Sequence, residues 1–455
     1  MSMLERIARY NQSTRARLDI PRLHIKPRPA VISDDAQGRG LFSRQRDIMN
    51  QVLSPTTKHF NLDGASSVPF SRSPSPIARS AYSLASDEPE LDWDRVELLE
   101  LSDTIRASLR SDKTVGAEAE RLSGFLEAAV RDEEQSARRP SLDFETIEHA
   151  RLDKLLAEIL HFAEEPRLTC GSLSAGMPAS SSSLPLRYRA DVSHAKRLLR
   201  AWRRRFREQY FMMDQHRCAL LVKGGRLKDV SFDSSLTYDV VKWQTKVSDP
   251  ISELEGNLQF DPGHWWLNIT CAERDGIVAS SFERPTKGRY GITTLPLMTG
   301  QEEMMRPNTY KYVREGEAAD MHIALISQVG REVRVLRGYR LKSILAPQAG
   351  VRYDGLFTIK QYGYKQDTKT NVYRLELTLE RVPDQKRSLD QIKKIPRPSQ
   401  LDDWNLYEKL EGDKIKLLQG ETNYLEWRLR RQEDKIDRED WRRASLFRAS
   451  FSHPK

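Results

Sequence analysis

From about Leu91 the apolar positions follow a helical period. Val96, Leu98, Leu99, Leu101 and Ile105 make one set, and Leu122, Phe125, Leu126 and Val130 a second. A third segment, Ile147 to Phe162, places Leu152, Leu155, Leu156, Ile159 and Leu160 on one side. A Gly/Ser-rich loop from Cys170 to Ser183 separates it from a fourth helix, read from about Asp191 to Tyr210. There Ala195, Leu198, Leu199, Trp202 and Phe206 form the packing stripe, while Lys196, Arg197, Arg200, Arg203, Arg204, Arg205 and Arg207 take the rest of the surface. These patterns predict an α-helical bundle over residues 91–215.

Beyond about Met212 the pattern changes to strands. His264 to Thr270 is rich in β-formers, and Leu375, Leu377 and Leu379 alternate with Arg374, Glu376, Thr378 and Glu380. Val333-Arg334-Val335-Leu336 alternates aliphatic and basic side chains and ends at Gly338. A loop with Pro347 and Gly350 leads to Tyr353-Asp354-Gly355 and on to Leu356–Ile359. One β-rich domain is expected over 225–385, with short helices such as Glu317 to Ser327. After it comes a basic linker and C-terminal helix over 386–455, in which Leu401, Trp404, Leu417, Leu418, Leu425, Trp427 and Leu429 alternate with charges. That helix is read as packed back on the body, with an interaction helix as the alternative. Residues 1–90 read as a disordered, Ser/Pro-rich basic tail, with Ser73 and Ser75 each before proline, the arrangement proline-directed kinases use.

Composition narrows the setting. The 455 residues are 38% hydrophobic and 31% charged, with a net charge of +9; a pI near 9.3 suits an acidic partner such as DNA, RNA or anionic lipid. Three widely spaced cysteines, Cys170, Cys218 and Cys271, form neither a disulfide framework nor a zinc spacing. No stretch reads as a signal peptide or membrane span, and Glu5 and Asp19 interrupt what would otherwise pass as a mitochondrial presequence. The expectation is a nuclear protein. The cationic face of the fourth helix, Arg200, Arg203, Arg204 and Arg207 above all, suits phosphate contact or nuclear import; a solvated helix face is the alternative.

The β-rich stretch carries more specific wording. Gly263-His264-Trp265-Trp266, Glu283-Arg284-Pro285 through Gly291-Ile292, Asp320 to Leu325, Val333-Arg334-Val335-Leu336-Arg337-Gly338 and Arg352-Tyr353-Asp354-Gly355 stand in an order that resembles the SET- and RING-associated (SRA or YDG) domain. The resemblance covers roughly Asp261 to Arg381. It implies an α+β fold: an SRA-like β-barrel or twisted sheet with flanking helices, here preceded by the helical bundle and the disordered tail. A fainter likeness joins Leu152–Leu160 and Ala195–Phe206 to the helical module at the N-terminus of transcription elongation factors.

Members of the SRA family bind modified-cytosine DNA by flipping the base into a pocket of stacking aromatics and a base-reading carboxylate. The resemblance puts that pocket in Gly300 to Gly316. Tyr312 answers to the stacking tyrosine and Tyr310 to the aromatic before it. The first tyrosine of the family pattern is replaced by Gln301, and the base-reading aspartate falls on Glu303, or on Met304 in the other alignment. The family's glycine-rich turn has become Val313-Arg314-Glu315-Gly316. Arg314, Arg334, Arg337, Arg352, Tyr353 and Asp354 complete the expected DNA-binding set, with the solvated-strand and turn-forming roles of these residues as the bland alternative.

The resulting expectation is a non-enzymatic nuclear protein that binds double-stranded DNA, methylated CpG included, and needs neither cofactor, metal, membrane nor small-molecule substrate. The alternative is a chromatin adaptor whose SRA-like domain holds a protein partner. A third reading is a modified-DNA-dependent nuclease using Asp354 and Asp367-Thr368-Lys369, a pattern that also reads as a polar hairpin tip between Tyr364 and Val372.

Overall fold

A computed structural model describes residues 94–112, 115–135, 139–164, 183–234, 241–245, 260–316, 323–370 and 372–451. The expected tail over 1–90, with Ser73 and Ser75, lies outside them, as do Cys170 and the residues 317–322 that open the expected helix at Glu317 to Ser327. The described residues belong to one compact unit, Asp87–Lys455. No helix among them is long and apolar enough to cross a membrane.

The bundle consists of α1 (Arg95–Asp112), α2 (Ala119–Glu134), α3 (Phe144–His149), α4 (Leu152–Glu164), α5 (Ser183–Phe206) and α6 (Glu208–Lys223). The expected single helix from Ile147 is two, because Arg151 adopts a left-handed φ of 56° between α3 and α4. Asp143 opens α3, its carboxylate accepting the Thr146 amide. A similar left-handed Arg207 (φ 46°) ends α5, but the chain resumes as α6 rather than turning to strands. Two reasons for α6 are visible in its contacts. Met213 enters the bundle core beside Leu155, Leu198 and Trp202, and the buried Arg217 makes a two-pronged pair with Asp153 at 2.6 and 2.9 Å.

The β-rich part contains β1 (Val230–Ser234) and β2 (Val241–Thr245) as a two-stranded sheet, and an eight-stranded sheet ordered β4-β5-β8-β9-β10-β7-β6, with β3 pairing β9. These are β3 (Trp265–Trp266), β4 (Thr286–Gly288), β5 (Gly291–Leu297), β6 (Gln301–Arg306), β7 (Thr309–Gly316), β8 (Glu332–Gly338), β9 (Val351–Asp367) and β10 (Val372–Arg381). All pairs are antiparallel except β5 with β8. The strand expected from His264 to Thr270 stops after Trp266. Asn268 caps α7 (Ile269–Arg274), its side chain accepting the Cys271 amide at 2.8 Å, and this local bond overrides the β-propensity of Ile269 and Thr270.

Two apolar cores cover opposite faces of β8 and β9. Val333, Val335, Phe357 and Ile359 pack with Tyr310, Tyr312 and Leu377 in one; Leu336, Val351 and Tyr353 pack with Trp265, Trp266, Trp404 and Tyr407 in the other. Three C-terminal helices follow: α8 (Leu389–Lys393), α9 (Pro398–Gln419) and α10 (Glu421–Phe451). Trp404 and Tyr407 of α9 enter the second core, while Asp402 on the same helix takes both terminal nitrogens of the buried Arg106 at 2.8 Å. One helix thus fastens the bundle to the sheet. Gly420, at φ 90°, reverses the chain into α10, and Gly412 allows the two helices to meet, since a Cβ there would lie 2.9 Å from the Trp427 ring.

Candidate nucleic-acid interface

The hairpin β6–β7 carries the stretch from Gly300 to Gly316. Period-two alternation decides what each side chain can do. Tyr310 and Tyr312 point inward and are 3% and 2% exposed; Glu302, opposite Tyr312 in register, is also buried, while Gln301 and Glu303 are exposed. The Tyr312 hydroxyl donates to the Thr299 carbonyl at 3.0 Å, and burial pushes its pKa well above the usual tyrosine range. Tyr310 meets Phe357 edge-on at 6.3 Å. Both rings are core components.

The inward carboxylate is Glu302, not Glu303. It accepts from Arg337 Nε at 2.9 Å and Nη2 at 2.7 Å, and from the Ser343 hydroxyl at 2.6 Å. Arg337 Nη1 continues to Asp354 Oδ2 at 2.8 Å, and Arg352 Nε reaches Asp354 Oδ1 at 2.5 Å. Arg352 also donates to the carbonyls of Ile395, at 2.7 Å, and Leu345. Burial alone would push the Asp354 carboxyl up, but Arg352 and Arg337 outweigh it and hold the pKa below the ordinary aspartate value. The Arg337 guanidinium lies over Phe357 at 4.8 Å and Tyr310 at 5.6 Å. Four ionic side chains therefore tie β6, β8 and β9 together inside the sheet.

This arrangement corrects the expected DNA-binding set. Arg334, Arg337, Arg352, Tyr353 and Asp354 are 4%, 0%, 1%, 4% and 0% exposed, so none lies on a surface a phosphate reaches. The reason is the covering of β8 and β9 on both faces: alternating aliphatic and basic residues there separate one core from another, not core from solvent. Tyr310 and Tyr312 are likewise withdrawn, and Glu303 faces away from Tyr312, across from Lys311. Arg314 is partly buried, 3.3 Å from Glu283. Glu283 accepts the amides of Met298 and Thr299 at 2.7 and 2.9 Å, bracing the turn into β6.

What remains accessible on this hairpin is an open depression of about 570 Å³ lined by Gln301, Glu303, Lys311, Arg340, Lys342 and residues of α10. Its charges are compensated. Arg340 pairs with Asp434 at 3.0 Å, Lys342 with Asp437 at 3.6 Å and Lys311 with Glu376 at 2.8 Å. The two aspartates belong to α10, which is anchored by Arg431 and Arg438. Arg431 donates to the Tyr339 hydroxyl at 2.7 Å and sits over Trp427, Trp404 and Tyr339. Arg438 donates to the Tyr339 and Gln348 carbonyls at 2.9 and 3.0 Å. The C-terminal helix is expected to pack back on the body; the contacts come from Trp427, Arg431 and Arg438, whereas Leu425 and Leu429 of the expected pattern are exposed.

On the bundle, α5 does separate two faces. Ala195, Leu198 and Trp202 are buried, whereas Lys196, Arg200, Arg203, Arg204 and Arg207 are exposed. Arg205 is turned inward to Glu133 at 2.8 Å, and Arg197 pairs with Glu134. The proposed nuclease residues do not meet. Asp354 is buried near one end of β9 and Asp367 closes the other, 13 residues on in this strand, a separation of roughly 40 Å at strand rise. Asp367 accepts the Lys369 amide and the Thr370 hydroxyl, both at 2.9 Å, as a hairpin tip does. Among the described residues no cluster of His, Cys, Asp and Glu could hold a metal ion.

No protein-family model matches the chain, and no curated protein matches it. Among solved structures, the SUVH5 SRA domain in complex with hemimethylated CG DNA is 17% identical, with a TM-score of 0.24, over 29% of this chain and 94% of that one. KRYPTONITE in complex with mCHH DNA, H3(1-15) peptide and SAH is 16% identical, TM-score 0.24, over 30% of this chain and 34% of that one. The modification-dependent TagI restriction endonuclease is 18% identical, TM-score 0.24, over 31% of this chain and 55% of that one. Each of these similarities runs over about three-tenths of this chain.

Proposed function

We propose that this chain is a nuclear protein that binds double-stranded DNA through its phosphates and does not cleave it. The observation that carries the reading is the outer face of α5, where Lys196, Arg200, Arg203, Arg204 and Arg207 stand exposed on a helix whose other face is locked in the bundle by Trp202. A rigid row of cations releases condensed counterions from a duplex and supplies affinity without sequence information. The net charge of +9 adds long-range attraction. Base flipping requires a stacking ring and a hydrogen-bonding edge in one cavity. With Tyr312 and Glu303 on opposite faces and Glu302 committed to Arg337, the reading supported here is independent of cytosine modification.

A second reading is a chromatin adaptor that holds a protein partner. It is favoured by the charge-compensated depression on β6–β7, since paired cations there are poorly placed for phosphate. Titration of unmodified, hemimethylated and fully methylated CpG duplexes between about 50 and 200 mM salt separates the readings. Equal affinities with a steep salt slope are expected, and replacing Arg200, Arg203 and Arg204 with alanine should reduce that slope by about three. Tighter binding to one methylated duplex reinstates base reading, and absence of binding at low salt leaves the adaptor. Metal-dependent cleavage abolished by Lys369→Ala overturns the non-enzymatic assignment.

A further inference from the structure

Helix α10 has two seams. Tyr424, Trp427, Arg431, Asp434, Arg438 and Trp441 recur at alternating steps of three and four and are partly covered, as are Glu439 and Ser445; Arg431 and Arg438 bind the loop after β8. On the opposite side Leu425, Leu429, Ile436 and Leu446 are 52%, 57%, 49% and 56% exposed. They fall on the a and d positions of a heptad: Leu429 and Ile436 at a, Leu425 and Leu446 at d, with Gln432 and Glu439 at the intervening d positions and Arg443 at a.

The flanks of the open seam identify its partner. The residue before each a position is basic, namely Arg428, Lys435 and Arg442; the residue after each d position is acidic, namely Glu426, Glu433 and Asp440. We propose that α10 pairs with α10 of a second copy of this chain in a parallel two-stranded coiled coil. In a parallel pair the residue before a faces the residue after the following d of the other helix. Arg428 then meets Glu433 of the other copy and Lys435 meets Asp440, on both sides of the two-fold axis. An antiparallel pair sets the basic flank against the basic flank, and the acidic against the acidic.

The interior layers agree with the same orientation. Gln432 faces its own counterpart and can exchange amide hydrogen bonds with it, fixing register as a single buried amide does. Glu439 and Arg443 each face their own counterpart in the parallel pair, and their like charges are offset within each helix, where Arg443 lies 3.8 Å from Glu439 and 3.3 Å from Asp440. Because the open seam is diametrically opposed to the covered one, a two-fold axis along α10 leaves both bodies outside the helix pair. This inference does not depend on DNA binding.

Sedimentation equilibrium on the full chain tests it. The expected mass is twice 52.5 kDa; Leu429→Glu with Ile436→Glu should return the monomer mass at an unchanged melting temperature. Arg428→Glu with Lys435→Glu should be monomeric alone, as should Glu433→Lys with Asp440→Lys. An equimolar mixture of the two charge variants should recover the dimer mass, which misfolded chains would not do. Gln432→Cys should cross-link to itself under mild oxidation where the wild-type chain does not. A monomeric wild-type chain overturns the proposal, as does a dimer that survives the Leu429 and Ile436 substitutions. Failure of the charge variants to rescue each other, or of Gln432→Cys to cross-link, overturns the parallel pairing.

Discussion

Replacing Arg337 with methionine removes the central cation of the buried network while leaving its aliphatic volume nearly intact. Both Arg337 and Glu302 have fully buried side chains 2.7 Å apart. The substitution leaves Glu302 with Ser343 as its side-chain hydrogen-bond donor and leaves Asp354 to Arg352. Stranding a buried charge in this way costs about 3–5 kcal/mol. In a large cooperative unit each kcal/mol lowers the melting temperature by roughly 2 °C, so a drop of about 6–10 °C is expected. The double variant Arg337→Met, Glu302→Leu removes both charges and should regain about 0.5–3 kcal/mol relative to the sum of the single losses. Thermal and denaturant unfolding, run beside a duplex-binding titration, provide the assay. A variant that melts like the wild type yet loses DNA affinity would refute the structural assignment and return Arg337 to the interface.

Three further outcomes follow from individual contacts. Tyr312→Phe deletes the bond to the Thr299 carbonyl and should cost about 0.5–1.5 kcal/mol near neutrality. Because burial raises the Tyr312 pKa, the stability tied to its neutral form is complete below about pH 10 and declines as pH rises toward the folded value, so the gap between wild type and variant in denaturant titrations should narrow above about pH 10. Asp434→Asn with Asp437→Asn releases Arg340 and Lys342 and should steepen the salt dependence of duplex binding by about two phosphate contacts; an unchanged slope would keep those cations out of any interface. Asn268→Ala removes the cap of α7 and should lower unfolding free energy by about 1 kcal/mol, measured in the same titrations.

The helical half was legible where one face alone is buried. Leu122, Leu155, Leu198 and Trp202 all sit in the bundle core their spacing assigned. Boundaries were less so, because Arg151 and Arg207 adopt left-handed backbone that no propensity announces. In the sheet, Leu375, Leu377 and Leu379 alternate as expected, since one face of β10 meets the core and the other is more open. That logic failed on β8 and β9. Their basic residues lie between two cores: Arg337 sits over Phe357 and Tyr310 of the first, and a second core built from Trp265, Trp404 and Tyr407 covers the opposite face. The helices that complete it come from distant sequence, beyond the reach of a local pattern. No periodicity could show that Arg106 would find Asp402.

The residues that made the resemblance specific are the ones least able to perform the family's chemistry here. Arg337 from β8 and Arg352 and Asp354 from the first residues of β9 are members of one buried ionic network. Such a network constrains its residues strongly, because loss of any one member leaves the remaining buried charges unbalanced. That constraint belongs to the scaffold. Base reading belongs to the hairpin, where moving a carboxylate by one position transfers it to the opposite face of the sheet. In this chain the inward position is Glu302, already neutralised by Arg337, and the outward one is Glu303, exposed on the face opposite Tyr312. The motif residues of β8 and β9 and the outward carboxylate of the hairpin are therefore separate features of this chain: the first hold the sheet together, and the second does not meet Tyr312.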